Sequence, residues 1–184
     1  MNKKDFIRVT AIKLIAQDGY YNTKIQDIAD NANIAVGTIY HYYKNKQEIF
    51  DYIFSVIFNE FFKFVSELEQ SNNDSLNMID SYIRFHIKEW EKNPDIFNIL
   101  QQDGIPFSKQ SFNFRGMYKK SMKKLENIIK QGQKIGEIKE IDASMIAYLI
   151  SNFMRIIKFN LTSECDYETR KEQFISFLIN SLKK

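Results

Sequence analysis

The sequence predicts an all-α protein: a three-helix helix-turn-helix domain over residues 1–48, then a larger helical domain over 49–184, with about nine helices in all. Three observations carry this expectation. The 184 residues contain two prolines and six glycines, the residue types that interrupt helices most strongly, and long segments run without either. Apolar residues recur every three or four positions, which gathers them on one helical face. Residues suited to helix N-termini stand where several of these stripes begin.

Ile7, Ala11, Leu14 and Ile15 span about 100° of arc and form the inner face of the first helix. Gly19 ends it, with the left-handed conformation expected one residue past a helix. Thr23 with Gln26 matches a capping box, so the second helix is expected to start there, with Ile25, Ile28 and Ala29 inward. Ala32-Asn33-Ile34 is the turn, where Asn33 tolerates a positive φ. The short third helix covers Val36 to Tyr42. Asn45 with Glu48 gives a second capping box and opens a fourth helix to about Leu68. That helix carries Ile49, Phe50, Ile53, Phe54, Ile57, Phe58, Phe61, Phe62 and Val65, too much for one face, so it should be packed from two sides.

Gln70 to Ser75 reads as a loop, and Leu76, Ile79, Ile83, Ile87 and Trp90 form the stripe of a fifth helix. Asn93-Pro94 opens a short sixth helix, with proline at the first helical position, and Gly104-Ile105-Pro106 breaks the chain. A seventh helix is expected from about Gln110 to Gln131, with Gly116 inside it and Gly132 and Gly136 in the connection that follows. Asp142 caps an eighth, whose apolar face is Ile146, Leu149, Ile150, Phe153, Ile156 and Ile157. The last helix spans about Tyr167 to Leu182.

Composition narrows the function classes. The chain is 44% hydrophobic and 27% charged, as globular domains are. A net charge of +3 is too small for a bulk polyanion binder. Residues 1–50 hold seven Lys/Arg against five Asp/Glu, a basic lean that is weak by itself. The single Cys165 excludes an internal disulfide framework and fits a reducing compartment. With no signal-peptide pattern and no apolar run near the ~18–20 residues of a membrane span, the expected location is cytoplasmic. His41 and His86 are the only histidines, and no H-E-x-x-H, G-x-S-x-G, P-loop or G-x-G-x-x-G pattern occurs. No catalysis, metal or cofactor is expected.

The chemistry concentrates in Thr23 to Phe50. A third helix of about two turns fits the ~12 Å major groove and can reach base edges. Gly37 removes a side chain and permits close approach. Val36 and Thr38 can meet thymine methyls or offer a hydroxyl, while Tyr40 and His41 can bond phosphate or bases. Lys24, Lys44 and Lys46 supply charge, and backbone N–H groups at the starts of the second and fourth helices suit an anion. Ile39 and Tyr43 point toward the core, and Tyr42 serves either core or groove.

The segment Ile7–Phe50 resembles the N-terminal domain of TetR-family transcriptional regulators. The matching residues are Ala11, Gly19-Tyr20, Thr23, Ile28-Ala29, and Val36-Gly37-Thr38-Ile39-Tyr40-His41-Tyr42-Tyr43-Lys44-Asn45-Lys46 with Glu48. The resemblance implies phosphate contacts from Thr23, Tyr40 and Lys46, and base reading by Val36, Thr38 and His41. Val36 departs from the polar or basic residue common in the family, so base preference does not carry over. The resemblance also implies a C-terminal effector-binding and dimerisation domain, and repression of a palindromic double-stranded operator relieved by a small, largely apolar effector.

In that half, the aromatic content (16 Phe and 10 Tyr in the whole chain) suits a cavity wall as well as a core. His86, Trp90, Phe97, Met117, Met122 and Phe153 are the candidate ligand-lining residues. Arg155 and Lys158 could suit an acidic effector, but Arg155 lies about 180° from Ile146 and the rest of the eighth-helix stripe, so a solvated or interface role is expected. Ala147, Ser151, Phe174, Ile175, Phe177 and Leu178 are the candidate homodimer interface. A helical ligand-binding or interaction protein without DNA binding is the first alternative, and an enzyme the last.

Overall fold

Helix ends set the frame of the fold. The computed structural model describes residues 2–102, 114–159 and 167–184, with the backbone alone at 114–115 and 153–159. The break at Gly104–Pro106, Cys165, and the side chains of Phe153, Arg155, Ile156, Ile157 and Lys158 fall outside this description. The described residues form nine α-helices: α1 (Lys3–Asp18), α2 (Ile25–Asn31), α3 (Val36–Tyr42), α4 (Lys46–Glu69), α5 (Ser75–Lys92), α6 (Pro94–Gln101), α7 (Phe114–Lys134), α8 (Ala143–Phe159) and α9 (Tyr167–Leu182). The all-α expectation holds. They divide into two compact units, Met1–Glu60 with Trp90–Arg115, and Phe61–Glu89 with Gly116–Lys184.

In the first unit α1 buries Ile7, Ala11 and Ile15, while Leu14 stays half-buried. Gly19 follows with φ 86° and ψ 157°. The positive φ was expected, but ψ places it in an extended region open essentially to glycine alone, not in the left-handed helical one. Thr23 does not cap α2. Its hydroxyl donates back to the Gly19 carbonyl (2.9 Å), and Lys24 is the cap residue, its N–H donating to Asp27 Oδ2 (2.7 Å). Asp27 provides the acceptor one turn in, so Gln26 is not needed. Asn33 takes φ 50°, as expected. Gln102 Nε2, just past α6, donates to the Ile15 carbonyl of α1 (2.9 Å).

Ile49, Phe50, Ile53 and Phe54 are buried, and so are Val65 and Leu68 further along α4. Ile57, Phe58, Phe61 and Phe62 are only half-buried, so the middle of the helix is less enclosed than its apolar content suggested. The apolar stripe of α5 contains two residues the periodic reading omitted, Met78 and Tyr82.

In the second unit α7 ends three residues beyond the expected Gln131, and Gly132 lies inside its last turn. A Cβ there would stand 2.5 Å from Ile138 Cδ1 and 2.8 Å from Ser75 Cβ, so glycine permits a close approach. The segment after α7 returns to pair Ile138 with Lys183, and Glu137 Oε2 accepts from the Ser75 N–H at the start of α5 (2.9 Å). Arg84 of α5 grips Glu172 of α9 through two bonds of 2.6 and 2.8 Å. The α8 face that is buried runs through Ala143, Ala147 and Ile150, whereas Leu149, assigned inward by periodicity, is exposed. Two apolar stripes share this helix, and periodicity does not say which one faces the protein's own core.

Candidate nucleic-acid interface

The short α3 is positioned from behind. Ile39 is fully buried on its inner side, as are Ile28 and Ala29 of α2. The intervening turn is closed by Ala32 N–H to the Ile28 carbonyl and Ile34 N–H to the Ala29 carbonyl, each 3.0 Å. At its far end Tyr43 is buried, and its hydroxyl donates to the Lys4 carbonyl (3.0 Å). Burial holds that phenol protonated, its pKa raised well above the ordinary value. Tyr43 also stacks obliquely on Tyr52 at 5.7 Å, and the Lys4 ammonium lies 4.3 Å from the Tyr52 ring centre.

With that side anchored, the opposite one is presented outward. Gly37, Tyr40, His41 and Lys44 are exposed, Tyr40 at 53%. Val36, Thr38 and Tyr42 are half-buried, with the Tyr42 ring edge-on to His41 at 5.0 Å. Among the described residues, a Cβ on Gly37 would meet nothing within 4 Å. The protein's own packing therefore does not demand glycine there, and the open space lies where an external surface would approach. Lys44 donates its backbone N–H to Glu48 Oε2 (2.6 Å), and Asn45 Oδ1 accepts from the Glu48 N–H (2.9 Å). This double cap fixes the α3–α4 corner and leaves the Lys44 side chain outside.

Two expected phosphate ligands are otherwise engaged. Thr23 is 1% exposed, and both its N–H (3.2 Å) and its hydroxyl (2.9 Å) are directed to the Gly19 carbonyl. Lys46 Nζ donates to the carbonyls of Tyr20 (2.6 Å) and Thr23 (2.8 Å) and lies 4.3 Å from the Tyr20 ring centre. Its pKa is lowered by burial. Lys24 is exposed at the start of α2, with its backbone N–H taken by Asp27. The sequence resemblance includes Tyr20 but assigns it no role; its hydroxyl donates to Gln47 Oε1 (3.1 Å) and its ring meets Phe50 edge-on at 4.9 Å.

The six ligand-lining candidates are not gathered in one unit. His86, Met117 and Met122 belong to the second, Trp90 and Phe97 to the first, and the Phe153 side chain is outside the description. His86 lies 4.3 Å from the Phe61 ring and 4.7 Å from that of Tyr82. Its Nε2 is buried without a hydrogen-bond partner among the described residues, and burial pushes its pKa down to about 3. The Tyr82 hydroxyl shares a hydrogen bond with Ser151 (3.1 Å). Trp90 meets Phe97 edge-on at 4.9 Å.

The interface candidates differ in exposure. Ala147 and Ile175 are buried within their own unit, and Ser151 is held by Tyr82, so they have little surface to offer a partner. Phe177 is 68% exposed, and Phe174 and Leu178 are half-buried. On α8, Met145, Tyr148 and Leu149 are exposed to half or more. Among the described residues, no group of three or more His, Cys, Asp or Glu could hold a metal ion, and no helix is long and apolar enough to cross a membrane.

Residues 7–53 match the family model of bacterial regulatory proteins, tetR family. An uncharacterized HTH-type transcriptional regulator of Bacillus subtilis, YhgD, is 27% identical over 160 residues, covering 82% of this chain and 79% of its own. The ketosteroid transcriptional regulator KstR2 of Mycobacterium tuberculosis superposes with a TM-score of 0.86 at 18% identity, over 100% of this chain and 96% of its own. AibR, solved in complex with isovaleryl coenzyme A and operator DNA, gives 0.83 at 20% identity over 97% and 98%.

Proposed function

Because the chain belongs to the tetR family of bacterial regulatory proteins and is a DNA-binding transcriptional regulator, we propose that it acts as a dimeric repressor of a palindromic operator. A small, largely apolar effector held within residues 49–184 releases it. The outward face of α3 carries this reading: exposed Tyr40, His41 and Lys44 surround an unobstructed Gly37, while Ile39 and Tyr43 fix the helix from behind. Val36, Gly37 and Thr38 enter the major groove, with His41 at base edges. Tyr40, Tyr42, Lys44 and Lys24 meet phosphates. Thr23 and Lys46 are left out of the contact set because their donors are used inside the protein.

Exposed Met145, Tyr148, Leu149 and Phe177, flanked by Phe174 and Leu178, form the dimer face. A two-fold dimer then places two α3 helices in half-sites about 34 Å apart, or a multiple of that. On the effector side, His86 is a neutral imidazole among rings, a polar group suited to fixing the orientation of an apolar ligand. AibR's complex with isovaleryl coenzyme A supports acyl-coenzyme A thioesters as the first class to try, in which the acyl chain is the apolar part and the coenzyme A phosphates are not. An effector shifts the DNA-bound population only by its difference in affinity for the two states.

The test begins with selection of an operator from random duplex DNA by the purified protein. Binding of Lys44→Ala is then measured against salt; losing one phosphate contact should reduce the log–log slope by about one unit. Adding isovaleryl, palmitoyl and oleoyl coenzyme A to the complex tests release. Failure to select any sequence would sink the operator reading, and release by none of the thioesters would remove that effector class.

A further inference from the structure

We infer that Lys46 is a positioning residue: its ammonium ties the α1–α2 corner to the first turn of α4 and so sets how α3 is presented to DNA. The corner residues Gly19 to Lys24 lie between helices, so carbonyls there lack a helical ladder and need other partners. Lys46 Nζ meets those of Tyr20 at 2.6 Å and Thr23 at 2.8 Å, with that of Tyr21 at 3.5 Å. An ammonium has three N–H donors; two are used by the short bonds to Tyr20 and Thr23, and the third faces the more distant Tyr21 carbonyl. The Tyr20 ring, 4.3 Å away, adds a cation–π contact. Burial disfavours the charged form, and a phosphate could be reached only by giving up these bonds.

The next residue makes the same connection. Gln47 Oε1 accepts from the Tyr20 hydroxyl (3.1 Å), while its amide nitrogen donates to Asp51 Oδ1 (3.0 Å). Phe50, one turn into α4, packs edge-on against the Tyr20 ring. Two consecutive residues of α4 thus hold Tyr20, and Lys46 also holds the carbonyl immediately before the cap of α2. From there the turn Ala32–Ile34 passes the orientation of α2 to α3. A displacement of α4 is therefore transmitted to the reading helix through Lys46, within one compact unit.

The experiment compares operator affinity across a salt series, at a temperature where every variant is folded, for wild type, Lys46→Met and Tyr20→Leu. Lys46→Met keeps the apolar stem and removes the ammonium; Tyr20→Leu removes the ring and hydroxyl while keeping the charge. Amide hydrogen exchange of the free proteins over residues 20–25 is recorded alongside. The clasp predicts roughly tenfold weaker binding for Lys46→Met at every salt, the size expected for losing charge-assisted hydrogen bonds. The salt slope stays unchanged, exchange at 20–25 accelerates, and Tyr20→Leu loses affinity in the same way.

A slope reduced by about one unit with unchanged exchange would make Lys46 a phosphate ligand and overturn the inference. A lower Tm with undiminished affinity of the folded protein would reduce it to a merely stabilising contact and overturn it as well. If Lys46→Met does not fold, the Tyr20→Leu measurement decides: loss at constant slope supports the clasp, and unchanged affinity overturns it.

Discussion

His86 shows how one side chain can tie stability to pH. In the unfolded chain an imidazole titrates near pH 6.5; in the fold, burial among Phe61 and Tyr82 pushes the value down to about 3. Between those limits the unfolded chain binds a proton that the folded one refuses. The folded state is therefore at full advantage above pH 6.5 and loses up to about 1.4 kcal/mol per unit as pH falls toward 3. Thermal unfolding at pH 7 and pH 5 should show the drop, and His86→Phe should flatten it. An equal slope in that variant would assign the dependence to other groups. Tyr40 poses a different residue-scale question, because its exposed side chain is a proposed phosphate contact. Tyr40→Phe should weaken binding of all duplexes by a similar factor while leaving Tm unchanged, since no internal contact is lost. A change in sequence preference would instead place that hydroxyl at a base edge.

At the scale of elements, helix ends decide what can be altered. Gly19 has φ 86° and ψ 157°, a conformation closed to other residues at about 1–3 kcal/mol. Gly19→Ala should therefore lower Tm by several degrees, although the nearest atom to an added Cβ is a flexible Gln102 side-chain oxygen at 3.9 Å. Glu137→Ala should remove an acceptor from the start of α5 and cost about 1 kcal/mol, the usual scale of a lost cap, measured by denaturant unfolding. These ends also show what was legible beforehand. Asn33, Asn45 with Glu48, Pro94 and Asp142 act on neighbours within four residues, so local chemistry reveals them. Thr23 misled because Asp27 offered a competing acceptor at the same helix start, and both assignments satisfy local rules. Glu137 serves a helix 62 positions earlier, and Lys46 reaches carbonyls 23 to 26 positions back. No spacing rule announces either. The outward face of α3 was legible because its anchors, Ile39 and Tyr43, lie in the same short segment. The arrangement around His86 was not, because rings from separate helices define it.

For the whole molecule, the decisive surface is the apolar one left uncovered on the second unit. Met145, Tyr148 and Leu149 of α8 and Phe177 of α9 are each at least half exposed, although α8 already buries Ala143, Ala147 and Ile150. Large apolar side chains exposed together on a helical surface mark an association site more often than a solvated face. A two-fold arrangement uses the same patch on both partners, so one substitution removes apolar area twice. Leu149→Glu with Phe177→Glu should shift the protein to monomer in sedimentation velocity, while its circular dichroism stays helical because neither side chain belongs to the core. Operator affinity should then collapse toward that of a half-site, since a monomer engages one α3 at a time and loses the effective concentration that joins the second contact to the first. The pattern is specific: the salt slope should fall by roughly half, as half the phosphate contacts are made. A variant that remains dimeric would move the interface elsewhere. A monomer binding the full operator as tightly as wild type would break the link between assembly and DNA reading.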